Sequence, residues 1–178
     1  YHVSYLGKPH DYLWMSTTSP ALMYEELRKA YDATADQIWL LNVGDIKSCE
    51  SSMDLFLAMA YDIDSFNYDN ISLYQARWLS NMFGNKYYDD FVDITNTFYH
   101  QAFSRKPEFM GWGYQWSTNR HGKERNTDTD FSFANYQEAD SRLAAYDRIG
   151  AKVERILSEL PEGQKAGFYQ LLYYPVKG

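Results

Sequence analysis

The sequence predicts a mainly helical chain, a bundle of about five helices preceded by one strand–helix–strand unit. Three observations carry this expectation. Apolar residues recur at three- and four-residue spacing almost without a break from residue 51 onward. Ahead of them stands one nearly unbroken apolar run, Ile38-Trp39-Leu40-Leu41-Asn42-Val43, closed by Gly44-Asp45. Such a run reads as a strand buried on both faces. The helical pattern just before it has the length of a crossover between two parallel strands.

Each element has its own signal. His2-Val3-Ser4-Tyr5-Leu6 is short, β-branched and aromatic, and ends at Gly7, so it reads as an extended edge. Ser19-Pro20 marks a helix start, with a hydroxyl at the cap and a proline where the missing N–H costs nothing. That helix places Leu22, Met23, Leu27, Ala30 and Tyr31 on one side. Met53, Phe56, Leu57 and Ala60 line the next helix. Ile71, Tyr74, Trp78 and Met82 line the one after it, which Gly84 ends. A fourth stripe runs Tyr87, Phe91, Ile94, Phe98, Ala102 and stops at Pro107. From Phe109 to Phe131 periodicity disappears, which predicts a long irregular loop. Asn135 to Glu138 has the form of a capping box, opening a stripe through Tyr136, Ala139, Leu143, Tyr146, Gly150, Val153 and Leu157. Pro161 breaks it, and a last helix carries Phe168, Leu171 and Leu172. One parallel strand pair does not make a stable sheet, so its partner strands are expected upstream.

Composition narrows the function. The 178 residues carry 17 basic and 24 acidic side chains, a formal charge of −7 that argues against nucleic acid as a partner. No run approaches the ~18 apolar residues of a membrane span. The single Cys49 excludes an intrachain disulfide and a thiolate zinc cage. With 17 Tyr and 5 Trp the chain is unusually aromatic. This suits either a tyrosine-rich core or a sugar-stacking surface, for which Trp112 and Trp116 are the obvious loop candidates.

Few residues read as chemistry. Parallel α/β barrels place their active sites at the carboxyl ends of strands, where Asn42 stands; it reads either as a substrate hydrogen bond or as an Asx-turn residue. Asp45 reads as a loop tie. His2 and Tyr5 converge only if Tyr5 lies just past a strand end. His10-Asp11 belongs to a loop, His100 to the surface, and Glu25-Glu26 and Asp89-Asp90 to solvated helix faces. His121 lies in a basic loop with Lys123 and Arg125. There is no phosphate-binding glycine loop, no metal-ligand spacing and no nucleophile elbow. The residues alone imply no metal and no cofactor.

The stretch Ile38-Trp39-Leu40-Leu41-Asn42-Val43-Gly44-Asp45-Ile46-Lys47 resembles family 115 glycoside hydrolases, the xylan α-1,2-glucuronidases. Glu50 follows where that pattern has an acidic residue, and Met53 to Asp62 match its Phe-, Leu- and Asp-rich helix. Tyr1-His2 with Tyr5 and Gly7, Arg105-Lys106-Pro107-Glu108, Asn135-Tyr136 with Glu138-Ala139-Asp140, and Phe168 to Pro175 extend the likeness in order. Ser51-Ser52 departs from it, standing where a proline usually opens the helix. The resemblance implies that residues 1–50 are the C-terminal part of a (β/α)8 catalytic barrel and residues 51–178 a helical-bundle domain. It implies release of (4-O-methyl)-α-D-glucuronic acid from xylan with inversion, by carboxylates lying upstream of this chain, which alone is then inactive. It places His2, Tyr5 and Asn42 in the uronic-acid pocket. A glucuronic-acid-substituted polysaccharide as substrate, a homodimeric intact protein and a secreted or periplasmic location follow in the same way. The competing expectation is a helical interaction module in which His2, Tyr5 and Asn42 are mutually remote.

Overall fold

Pro20 opens the first helix at the position where a missing N–H is harmless. The computed structural model describes residues 1–3, 11–110, 114–116, 123–125 and 129–178, with positions 114–116 and 123–125 described by backbone alone. Its helices are α1 (Pro20–Asp32), α2 (Glu50–Tyr61), α3 (Tyr74–Phe83), α4 (Tyr88–Ser104), α5 (Glu138–Glu159), α6 (Glu162–Phe168) and α7 (Tyr174–Lys177). A π-helical turn, Tyr169–Tyr173, joins the last two. The chain is mainly helical, as expected. Within the Phe109–Phe131 stretch, where a loop was expected, β1 (Tyr114–Trp116) and β2 (Lys123–Arg125) pair antiparallel.

Side chains bury into two clusters. The first joins Val3 to α1 and α2 through Met23, Leu27, Leu55, Phe56 and Met59. The second is the bundle proper, α3 to α7, centred on Phe91, Ile94, Ile149, Val153 and Phe168. Polar links tie the two. The Tyr74 hydroxyl donates to Asp54, Gln75 Nε2 to Ser51 Oγ at 3.2 Å, and Gln170 Nε2 to Glu50 Oε1 at 3.0 Å.

The α4 stripe is buried as predicted, Tyr87 through Ala102. Other faces are rotated. In α2 the buried residues are Ser52, Leu55, Phe56 and Met59, while Leu57 is exposed. In α3 they include Ala76, Leu79 and Phe83 rather than Trp78 and Met82. In α5 Gly150 and Val153 are buried as expected, joined by Arg142, Ile149 and Ile156, whereas Leu143 and, just before the helix, Tyr136 are exposed. Arg142 is buried because it donates to the Gln101 and Arg105 carbonyls at 2.9 and 3.2 Å, closing the C-terminal end of α4. The capping box does not form. Gln137 takes the cap position in a left-handed conformation, because Glu138 is engaged instead by the Arg105 guanidinium. Nor does Ser19 cap α1 with its hydroxyl.

The strand–helix–strand expectation needs the largest correction. Residues 38–43 are extended but meet the start of the chain through a single parallel bridge, His2 to Asn42. Trp39, Leu41 and Val43 turn toward the first cluster, whereas Ile38 and Leu40 are 82% and 78% exposed. The segment is therefore buried on one face, since nothing among the described residues covers the other.

Aromatic packing holds the bundle. Phe168 meets Phe83 edge-on at 5.2 Å between ring centroids, and Phe91 contacts both Phe168 and Tyr87. Outside it, Lys152 bridges Asp90 and Asp93 across α4 and α5 at 3.3 and 2.8 Å. Arg148 pairs with Asp93 and Arg155 with Asp90. Such half-exposed pairs contribute up to about 1 kcal/mol each; they fix the register of the two helices more than they stabilise them. Replacing Phe91 by Ala should therefore destabilise the chain by about 3–5 kcal/mol, through lost transfer energy and a cavity. Urea unfolding with an unchanged slope checks this.

Candidate functional site

The first three residues and the 38–43 segment build one corner of the molecule. Val3 N–H donates to the Asn42 carbonyl at 3.0 Å, and Asn42 N–H to the Tyr1 carbonyl at 2.8 Å. Side chains alternate along extended chains, and bridge partners share a face. The His2 imidazole and the Asn42 amide therefore stand side by side on the exposed face, opposite buried Val3 and half-buried Leu41 and Val43. Two of the three expected site residues are thus neighbours. Tyr5 lies outside the described residues.

Past Asn42 the chain turns sharply. Gly44 N–H donates to the Asn42 side-chain oxygen at 3.3 Å, an Asx link that also orients the amide. Asn42 thus takes up the loop role that was the alternative reading, on the same face as His2. Gly44 and Ser48 have φ of 63° and 69°. The loop they shape, 43–49, forms one side of a cleft of about 690 Å³, whose other side is the 12–16 segment. Gln170 of the π-helical turn reaches it from the bundle. Tyr12 and Ser16, also lining this cleft, have φ of 56° and 55°. A bulky residue rarely adopts that conformation, and where it does the surroundings hold it there. Three of the six non-glycine residues with left-handed backbone among the described residues, Tyr12, Ser16 and Ser48, line this cleft. On the far side of the bridge a second cleft, about 530 Å³, is lined by Tyr12, His2, Ile38 and Leu40.

The 12–16 segment is held from beneath. Glu108, 6% exposed, accepts the N–H groups of Leu13 and Trp14 on Oε1 at 2.8 and 2.7 Å. Its Oε2 is buried without a hydrogen-bond partner among the described residues. Lys106 pairs with Asp11 at 3.1 Å, and the Trp14 indole donates to the Pro175 carbonyl at 3.1 Å. Glu50, at the first turn of α2, accepts from Gln170 and lies 3.7 Å from Lys47. Burial, and after it the charges of Glu50 and Asp45, pushes the Cys49 thiol above its ordinary range.

Chemically the corner offers an amide, an imidazole, aromatic rings and the ammonium groups of Lys47 and Lys106, a set suited to hydrogen-bonding and stacking with hydroxylated ligands. Among the described residues no three His, Cys, Asp or Glu come together as a metal site. The profile of glycosyl hydrolase family 115 matches residues 1–109, a span that holds the bridge, both clefts' inner walls and Glu108. The chain belongs to glycosyl hydrolase family 115. No curated protein matches it significantly. Membership in a glycosyl hydrolase family supports carbohydrate as the substrate class of the protein.

Tyr12, Lys106, Glu108 and Gln170 were not singled out in the sequence as site residues. Lys106 and Glu108 do lie in the Arg105-Lys106-Pro107-Glu108 segment that carries the family likeness, the one signal pointing to them. Asp11 sits in a loop as expected, though tied by Lys106. His100 is exposed and lines a separate groove beside Tyr99 and Phe103. Trp112 and His121 fall outside the described residues, and the side chain of Trp116 is not described.

Cys49 gives a direct test of how closed the inner wall is. A buried thiol with a raised pKa is less ionised at pH 8 and therefore less nucleophilic. Iodoacetamide should label Cys49 at least about tenfold more slowly in the folded chain than in urea, as followed by mass spectrometry.

Proposed function

We propose that the intact protein removes (4-O-methyl)-α-D-glucuronic acid from xylan by an inverting mechanism. His2, Tyr5 and Asn42 contribute to the uronic-acid pocket. The single observation that carries this reading is the parallel His2–Asn42 bridge, which sets an imidazole and an amide side by side, with His2 lining the cleft of about 530 Å³. The amide can both donate to and accept from sugar hydroxyls, and the imidazole is a tunable donor to a substrate carboxylate.

The remaining parts of the reading fit the same geometry. Residues 1–50 would complete a (β/α)8 barrel, and residues 51–178 form the helical bundle beside it. An extended segment with Ile38 and Leu40 bare on one face suits a parallel sheet that covers it with further strands and helices. In such a barrel the catalytic carboxylates come from other strands. Inversion places them ~6.5–9.5 Å apart, with the attacking water between. No helix of the described chain is long and apolar enough to cross a membrane, which accords with a secreted or periplasmic enzyme acting on a polymer. We take the intact enzyme to be a homodimer.

Replacing Asn42 by Ala in the intact enzyme should lower kcat/KM on glucuronic-acid-substituted xylo-oligosaccharides more than about tenfold, the scale of a lost substrate hydrogen bond. Circular dichroism should show the fold retained. An unchanged kcat/KM removes Asn42 from the pocket.

A further inference from the structure

Tyr12 lines both clefts, with His2 on one side and the 43–49 loop on the other. Its backbone is left-handed at φ 56°, which a bulky residue keeps only where its surroundings determine it. Among the described residues, contacts that hold it come from the bundle side. Lys106 Nζ lies 4.3 Å from the centroid of the Tyr12 ring and 3.1 Å from Asp11 Oδ2. Glu108 takes the next two N–H groups, those of Leu13 and Trp14, on one carboxylate oxygen. Four successive residues, 11 to 14, are thus each fastened to the turn that follows α4. A cation against one part of the ring and a carboxylate under the adjoining backbone fix where the phenol stands.

We propose that Tyr12 is a sugar-binding residue of this cleft, a phenol presented to a pyranose ring of the glucuronic-acid-substituted chain, with Lys106 and Glu108 as its positioning residues. A tyrosine offers an apolar face for the C–H side of a pyranose and a hydroxyl for its polar rim. The contacts from Lys106 and Glu108 hold the left-handed backbone in place. Glu108 acts through the backbone and Lys106 through the ring, so neither needs to touch the sugar. The proposal rests on the glucuronidase reading above.

The test uses the intact enzyme with a glucuronic-acid-substituted xylo-oligosaccharide. Tyr12→Ala should raise KM about tenfold or more while changing kcat far less, the pattern of lost ground-state binding. Tyr12→Phe, which keeps the stacking face, should fall between wild type and Ala. Lys106→Met and Glu108→Ala should raise KM in the same direction. Lys106→Arg, which retains a cation for both ring and carboxylate, and Glu108→Gln, which retains an acceptor for both N–H groups, should each recover most of the loss. A purely structural role would move thermal stability without this split or this recovery. If Tyr12→Ala does not fold, judged by near-ultraviolet circular dichroism, Tyr12→Gly removes the ring and relieves the left-handed strain, and its KM decides. A KM within twofold of wild type in the folded ring-deleted variant overturns the proposal. A wild-type enzyme that releases no glucuronic acid overturns the glucuronidase reading instead, and the assignment of Tyr12 with it.

Discussion

Two backbone hydrogen bonds, between Val3 and Asn42 and between Asn42 and Tyr1, are the constraint on which the proposed uronic-acid pocket depends. They set the register of the opening residues against the 38–43 segment, and with it the face on which His2 and Asn42 appear. A one-residue slip would turn both side chains toward the first hydrophobic cluster and bring Leu41 or Val43 outward. Burial of Val3, 4% exposed, resists that slip, because moving it to solvent would forfeit roughly 1.5–3 kcal/mol of apolar burial. Core packing and site geometry are in this way the same constraint.

The bundle does more than stand beside this corner. Its second cluster is built on aromatic contacts among Phe83, Phe91 and Phe168, and the ends of its elements reach back to the cleft. Glu108 and Lys106, just after α4, hold the 11–14 segment, and Pro175 and Gln170, near the C-terminal end, hold Trp14 and Glu50. These links leave from structured turns, so the cleft inherits the rigidity of the helices behind it. A family 115 chain that lost its bundle packing would lose the shape of the cleft without losing any residue that faces it.

Much of the helical half was legible in the sequence, and the limits of that legibility have physical causes. The α4 stripe was read residue for residue, because Tyr87, Phe91, Ile94, Phe98 and Ala102 are apolar at strict helical spacing. The α5 face was read correctly at Gly150 and Val153 but not toward the N-terminal end of its stripe. Tyr136 and Leu143 carried the pattern outward, while Arg142, counted as polar, is buried to close the C-terminal end of α4. The 38–43 run read as covered on both faces, since an apolar run records what a segment needs and not what is present to satisfy it. Asn42 was singled out by its place at the end of the apolar run and His2 on the opening extended segment, both together with the family likeness; the bridge makes them neighbours. Tyr12 and Glu108 were not, for their significance lies in contacts across about 95 residues and in a left-handed backbone that no local motif announces.

The most direct measurement is the crystal structure of the intact protein with glucuronic acid bound. The account predicts the uronate ring against Asn42 and His2, with its carboxylate toward the imidazole and the cleft between the 12–16 and 43–49 segments leading away from it. A sugar bound elsewhere, with His2 and Asn42 buried beneath other strands, would contradict it.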